Sequence, residues 1–102
     1  LEAYNKGLEL AIKYFGSGSE KEANFYYSIA ESLQDQGHAI QALENFQKSL
    51  QITLTIHGPS SSQAAECYNA MGTIYHGQKR YIKALESYKK SLNILKKLVQ
   101  IT

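Results

Sequence analysis

At 102 residues the chain has the length of one small domain, and its 43% hydrophobic and 20% charged residues argue against both disorder and a two-domain enzyme. No apolar run approaches the ~20 residues needed to span a bilayer, and the N-terminus carries no signal-peptide pattern. A single cysteine, Cys67, excludes an internal disulfide and a zinc site built on paired cysteines, so the expected compartment is the cytoplasm. The charge is uneven. Residues 1–44 carry seven acids and three bases, whereas residues 45–102 carry two and eight, so a net +2 divides into −4 and +6. Seven of the eleven bases lie from Lys79 to Lys97, which reads first as a solvated helix face and second as a surface for an acidic partner.

In chain order the apolar spacing predicts five helices and no strand. The first covers about 1–15 and gives way to a Gly16–Ser19 loop. The second, about 20–36, opens with a capping box of Ser19 and Glu22, and Tyr26, Ile29, Ala30 and Leu33 form its apolar stripe. After Gln36-Gly37-His38, a helix over 39–57 buries Ala42, Leu43, Phe46, Ser49, Leu50 and Leu54. The loop Gly58–Ser62 follows, with Ser60 and Gln63 expected as a second capping box. A helix over 62–77 carries Tyr68, Met71, Gly72 and Tyr75. Beyond Gly77-Gln78-Lys79, a last helix over 81–100 repeats the stripe with Ala84, Leu85, Tyr88, Ser91, Leu92 and Leu95.

The same chain read 42 residues later matches itself without a gap. Leu1/Leu43/Leu85, Glu2/Glu44/Glu86, Lys6/Lys48/Lys90 and Leu8/Leu50/Leu92 coincide, as do Tyr26/Tyr68, Gln36/Gln78 and Gly16/Gly58. A gap-free period means that each copy is one structural unit stacked on the next. Small residues set the fit. Ala30 and Gly72 on the first helix of each unit, with Ala42 and Ala84 on the second, let the helices approach, and Phe46 and Tyr88 fill the space beside them.

These residues resemble a known repeat. Ala65-x-x-Tyr68-x-x-Met71-Gly72-x-x-Tyr75 followed by Ala84-x-x-x-Tyr88-x-x-Ser91-Leu92 is similar to the tetratricopeptide repeat, and the earlier copy offers Ala23, Tyr26, Ile29, Ala30, Leu33, Gly37, Ala42, Phe46, Ser49 and Leu50. The period of 42 and the His57-Gly58-Pro59-Ser60 loop resemble the long-repeat subclass of kinesin light chains. The resemblance implies an all-α fold of antiparallel helix-turn-helix units stacked into a right-handed α-solenoid. One domain is expected over 1–102: 1–15 as the second helix of a truncated repeat, then repeats at 20–57 and 62–100, the whole cut from a longer array. Its uncapped ends, with Leu1, Leu8 and Leu10 on one side and Leu98, Val99 and Ile101 on the other, are expected to favour self-association. One departure stands out. Lys79 occupies the place where Gly37 turns the chain in the first copy, which leaves the geometry of the second turn open.

Catalysis and cofactor binding find no support in the residues. Cys67 and His76 lie nine residues apart on one helix, half a turn out of phase, and cannot form a dyad. His38 and His57 have no companion at ligand spacing, so no metal is expected, and Gly16-Ser17-Gly18-Ser19 lacks the lysine and preceding strand of a phosphate loop. The family resemblance instead implies a protein or peptide partner in a groove lined by the first helices, at Asn24, Tyr27, Glu31, Gln34 and Asp35, then Glu66, Asn69, Thr73 and His76. Ordinary solvent-facing polarity is the competing reading for each of them. A carboxylate-gripping groove is not expected, since the matching positions hold Tyr27, Glu31, Glu66 and Ala70. No nucleic acid and no membrane are expected either, because the groove is acidic and Tyr75, Tyr81 and Tyr88 are assigned to packing. An interaction scaffold or adaptor is therefore the function expected, and the alternative is a regulatory or sensor array within a larger enzyme or signalling ATPase.

Overall fold

The computed structural model describes residues 2–101 and the side chains of residues 2–100; Thr102 lies outside the described residues, as do Leu1 and the side chain of Ile101, both assigned above to the apolar ends. Five helices follow one another: α1 (Glu2–Phe15), α2 (Glu20–Asp35), α3 (Ala39–His57), α4 (Ser62–Gly77) and α5 (Tyr81–Ile101). Among the described residues there is no strand. Each helix packs on its neighbours in sequence, with α2 on α3 and α4 on α5 forming the two closest pairs. The result is an α-solenoid segment measuring 36 × 34 × 16 Å, a slab whose short dimension is the depth of two packed helices.

The helix starts are set by serine. Ser19 Oγ accepts the Glu22 amide at 3.1 Å, and the Glu22 carboxylate reaches back to accept from the Gly18 amide at 2.6 Å, one residue earlier than in a standard capping box. The second cap is shifted by one residue from the expected Ser60: Ser61 Oγ accepts the Ala64 amide at 3.1 Å. Either serine precedes a small, helix-favouring run, so composition does not distinguish them. The start falls at the second because Ser61 takes up the extended backbone of an N-cap.

Both hairpin turns have the same hydrogen bonds despite their different residues. Gly37 and His38 donate to the carbonyls of Gln34 and Leu33 at 3.0 and 2.8 Å; Lys79 and Arg80 donate to those of His76 and Tyr75 at 3.0 and 2.8 Å. Lys79 therefore adopts the left-handed conformation of the glycine it replaces, with φ of 63° beside 84° for Gly37. The turn is fixed by the helices it joins, and the lysine carries the strain.

The core runs from Ile29 through Phe46 to Ile94, with Ala30, Ala42, Phe46 and Ala64 fully enclosed. A β-carbon on Gly72 would stand 2.8 Å from Cε1 of Tyr88, so the absence of a side chain here is what admits the ring. The tyrosine then donates its hydroxyl to Thr73 Oγ1 at 3.2 Å. Phe46, at the equivalent place, needs no such partner and meets Tyr27 edge-on at 5.1 Å.

Two expectations about packing need correction. Leu85, Leu92 and Leu95 of α5 are 54%, 52% and 45% exposed, whereas Leu43 and Leu50 in α3, the equivalents of the first two, are buried. The difference is position: α4 lies against α3, and among the described residues no helix lies on the outer side of α5. Tyr81 is also exposed, and its ring meets that of His76 edge-on at 5.6 Å.

Three substitutions test the packing and a fourth tests the turn. Gly72→Leu and Ala42→Leu are expected to lower stability by about 1–3 kcal/mol or more through overpacking, while Gly77→Ala, whose added carbon meets nothing within 4 Å, leaves it unchanged or slightly higher. Thermal melts of the three decide it, and parent-like melting of both leucine variants would refute the assigned contacts. Lys79→Gly is expected to raise stability by about 0.5–1 kcal/mol, because relief of the left-handed strain exceeds the entropy given to the unfolded chain. A lower midpoint in urea would show that the lysine side chain contributes more than its backbone costs.

Candidate functional site

The part of the expected groove that draws on three helices is a cavity of about 250 Å³ where α2 begins, α3 ends and α4 passes. From α2 it takes Asn24, Tyr27 and Glu20; from α3, Ser49, Thr53, Ile56 and His57; from α4, Gln63, Glu66 and Cys67. Its floor is polar but internally satisfied. Cys67 Sγ donates to Ser49 Oγ at 3.9 Å, and that hydroxyl donates to the Ala23 carbonyl at 2.9 Å, so one thread of hydrogen bonds ties α4, α3 and α2 together. Burial pushes the Cys67 thiol up to about 11; its bond to Ser49 works against that rise and the Glu66 charge adds to it. A thiol so held stays protonated near neutral pH and is a packing group, not a nucleophile.

The rim is acidic. Burial, and then the charges of Glu31 and Glu66, push the Tyr27 phenol up to about 12, so the ring borders the cavity as a neutral donor. His57 Nε2 lies 3.4 Å from Glu20 Oε1 across the mouth, an ion pair only when the imidazole is protonated. No lysine or arginine lines the cavity.

A second cavity, of about 270 Å³, is bounded by Ser62, Ala65, Glu66, Asn69, Ser91 and Leu95. Each of these residues stands 42 positions after a residue of the first: Glu20, Ala23, Asn24, Tyr27, Ser49 and Thr53. The solenoid therefore makes the same pocket once per repeat, and Glu66 borders both. A third hollow, of about 260 Å³, lies at the hairpin turns and holds Gln34 and Thr73 among its walls.

The nine expected groove residues thus divide. Asn24, Tyr27 and Glu66 meet in the first pocket, Glu66 and Asn69 in the second, and Gln34 and Thr73 at the turns. Glu31, Asp35 and His76 are exposed and line none of the three. Thr73 turns its hydroxyl to the Asn69 carbonyl, at 3.1 Å, and accepts from Tyr88. The sequence reading missed Glu20, Thr53, Ile56, His57 and Gln63, which reach the pocket from helix ends. The signal was present in the period, since the last turn of a second helix always lies beside the first turn of the helix before it. Among the described residues no three histidine, cysteine or carboxylate groups could hold a metal, and no helix is long and apolar enough to cross a membrane.

Comparison with known proteins supports the architecture. No curated protein matches the chain. Among solved structures, BtubC (BKLC) from P. vanneervenii is similar with a TM-score of 0.85 at 20% identity, over 91% of this chain and 37% of that one. The chain therefore spans little more than a third of that protein's length, and the likeness is one of fold. The model of the tetratricopeptide repeat matches residues 21–97, which span most of both helical hairpins. With a 42-residue period, a shared turn geometry and one pocket per unit, the chain belongs to the tetratricopeptide repeat family.

Proposed function

We propose that the chain is a protein-interaction scaffold of the long-repeat subclass, similar to kinesin light chains, and that it binds an extended or helical protein segment of basic or neutral character along its first helices in the cytoplasm. The observation that carries this reading is the pair of equivalent pockets one repeat apart, bordered by Asn24, Tyr27, Glu66 and Asn69. A segment laid across them meets a periodic surface. The Asn69 amide offers a donor and an acceptor to a peptide backbone, and Tyr27 offers apolar area with a polar tip. Glu31, Glu66 and Asp35 disfavour an acidic segment.

The bases supply the contrast. Lys48 lies over the ring of Tyr26 at 5.5 Å and Lys90 over Tyr68 at 5.4 Å, one repeat apart, while Lys83 lies 5.7 Å from the centre of Tyr75. These cations cover aromatic faces of the fold and stand away from the pockets.

With a segment chosen from a peptide array, titration calorimetry of Asn69→Ala is expected to show a loss of about 1 kcal/mol, and Tyr27→Ala a larger one. Reversal of Lys83, Lys90 and Lys97 to glutamate is expected to leave affinity nearly unchanged. Melting curves accompany the Tyr27 variant, because its ring also touches Phe46. Loss of binding on lysine reversal with both groove variants silent would move the partner to the basic face and end the groove reading.

Self-association belongs to the same proposal. The open face of α5 carries Leu85 and Leu92 at places that an adjoining helix buries in α3, and the −4 and +6 halves favour head-to-tail stacking of copies. Sedimentation is expected to show mass rising with concentration, less so in high salt, and a monomer for Leu92→Glu. A parent monomeric at every concentration would refute it.

A further inference from the structure

We propose that the pocket between α2, α3 and α4 seats one long cationic side chain, arginine or lysine, of the bound segment. The inference rests on the groove reading above and assigns what one of its two pockets selects. Size argues first. About 250 Å³ lies below the ~300–1,000 Å³ of cavities that enclose small-molecule ligands, and suits a single side chain. Chemistry argues next. The walls are divided between apolar surface from Ala23, Ile56 and the Tyr27 ring and a rim bearing the carboxylates of Glu20 and Glu66, with no fixed cation among them. An apolar stem ending in a charge is the side chain that satisfies both parts, and arginine or lysine alone has that form. The Tyr27 phenol is neutral near pH 7, and burial moves it further up, so its ring accepts a cation without adding a competing charge.

The repeat supplies its own comparison. In the second pocket Ser62 replaces Glu20, Asn69 replaces Tyr27 and Leu95 replaces Thr53, which leaves Glu66 as its one carboxylate and removes the aromatic wall. Two cavities of the same construction thus differ in charge and ring, and the first alone combines both. Glu20 is not buried in any core contact, and its pairing with His57 at 3.4 Å lies across the mouth, where an entering cation would replace the imidazole.

The test needs no identified partner. The intact chain, labelled with nitrogen-15, is titrated with Nα-acetyl-arginine N-methylamide and its lysine counterpart, and in parallel with the neutral isostere from citrulline and the shorter, acidic derivative of glutamate. Saturable shifts are expected at Asn24, Tyr27 and Ser49 with either cation, smaller ones at Ser62, Ser91 and Leu95, and at least about tenfold weaker binding of citrulline. The double substitution Glu20→Gln and Glu66→Gln is expected to weaken the cations by about tenfold or more, leave citrulline unchanged and leave the melting curve in place. High salt is expected to act in the same direction. Citrulline or the glutamate derivative binding as well as the cations, or no saturable shift at the first pocket with either cation, would overturn the assignment. Either result leaves the groove reading to the Asn69 and Tyr27 titrations, which use a whole segment. Failure of those titrations with the arginine shifts intact would instead show a cation pocket outside any peptide groove.

Discussion

The structure depends on the close crossing of two helices at a residue with almost no side chain. Ala30 in one unit and Gly72 in the next occupy that crossing, and a large ring from the second helix lies beside each. Burial of Phe46 and Tyr88 is worth having only if the helices come near enough to close around the rings, and a longer residue at 30 or 72 would prevent that. The two solutions are not identical. Phe46 fits against an alanine and is enclosed entirely, whereas Tyr88 needs the glycine, leans into the space it leaves and finds Thr73 for its hydroxyl. The polar tip and the missing methyl group are one adjustment, not two.

A second exchange of volume joins the units to one another. A β-carbon on Gly7 of α1 would collide with the ring of Phe25 on α2. One repeat later the same two places hold Ser49 and Cys67, so the large residue has become small and the glycine has gained a hydroxyl. That change converts an apolar contact into the hydrogen-bonded thread from Cys67 through Ser49 to Ala23. The thread forms the floor of the first pocket. Packing between repeats thus determines which atoms form the floor of the pocket, and the polar floor is possible because each of its donors is already committed.

The fold was legible because a gap-free repeat constrains every copy at once. Ala42, Phe46, Ser49 and Leu50 announce their equivalents in α5, and the helix limits follow to within a residue or two. What the pattern could not convey was asymmetry between copies. Leu43 and Leu85 are identical in sequence and differ in burial because α4 covers one and nothing described covers the other. Lys79 reads as a departure, yet its turn has the hydrogen bonds of Gly37, since the helices on both sides hold the backbone in place. The candidate site was legible in part. Asn24, Tyr27, Glu66 and Asn69 were placed from the first helices, but Glu20, Ile56 and His57 were not, because a pocket at helix ends draws on three elements and no single helical face displays it.

Repetition and specificity pull against each other, and the two pockets show how the chain reconciles them. Positions that lock helices, such as Ala23 and Ala65 or Ser49 and Ser91, are the same in both copies. Positions that open on the cavity differ: Glu20 against Ser62, Asn24 against Glu66, Tyr27 against Asn69. Stability is therefore carried by residues that cannot vary without altering a helix crossing, and the chemistry of each cavity largely by less constrained residues, Tyr27 excepted, whose ring also packs on Phe46. Charge is the quantity most free to change under this arrangement, since a glutamate replacing a serine at a pocket rim disturbs no packed contact. A solenoid built this way presents two sockets of similar construction and separately chosen chemistry, one repeat apart.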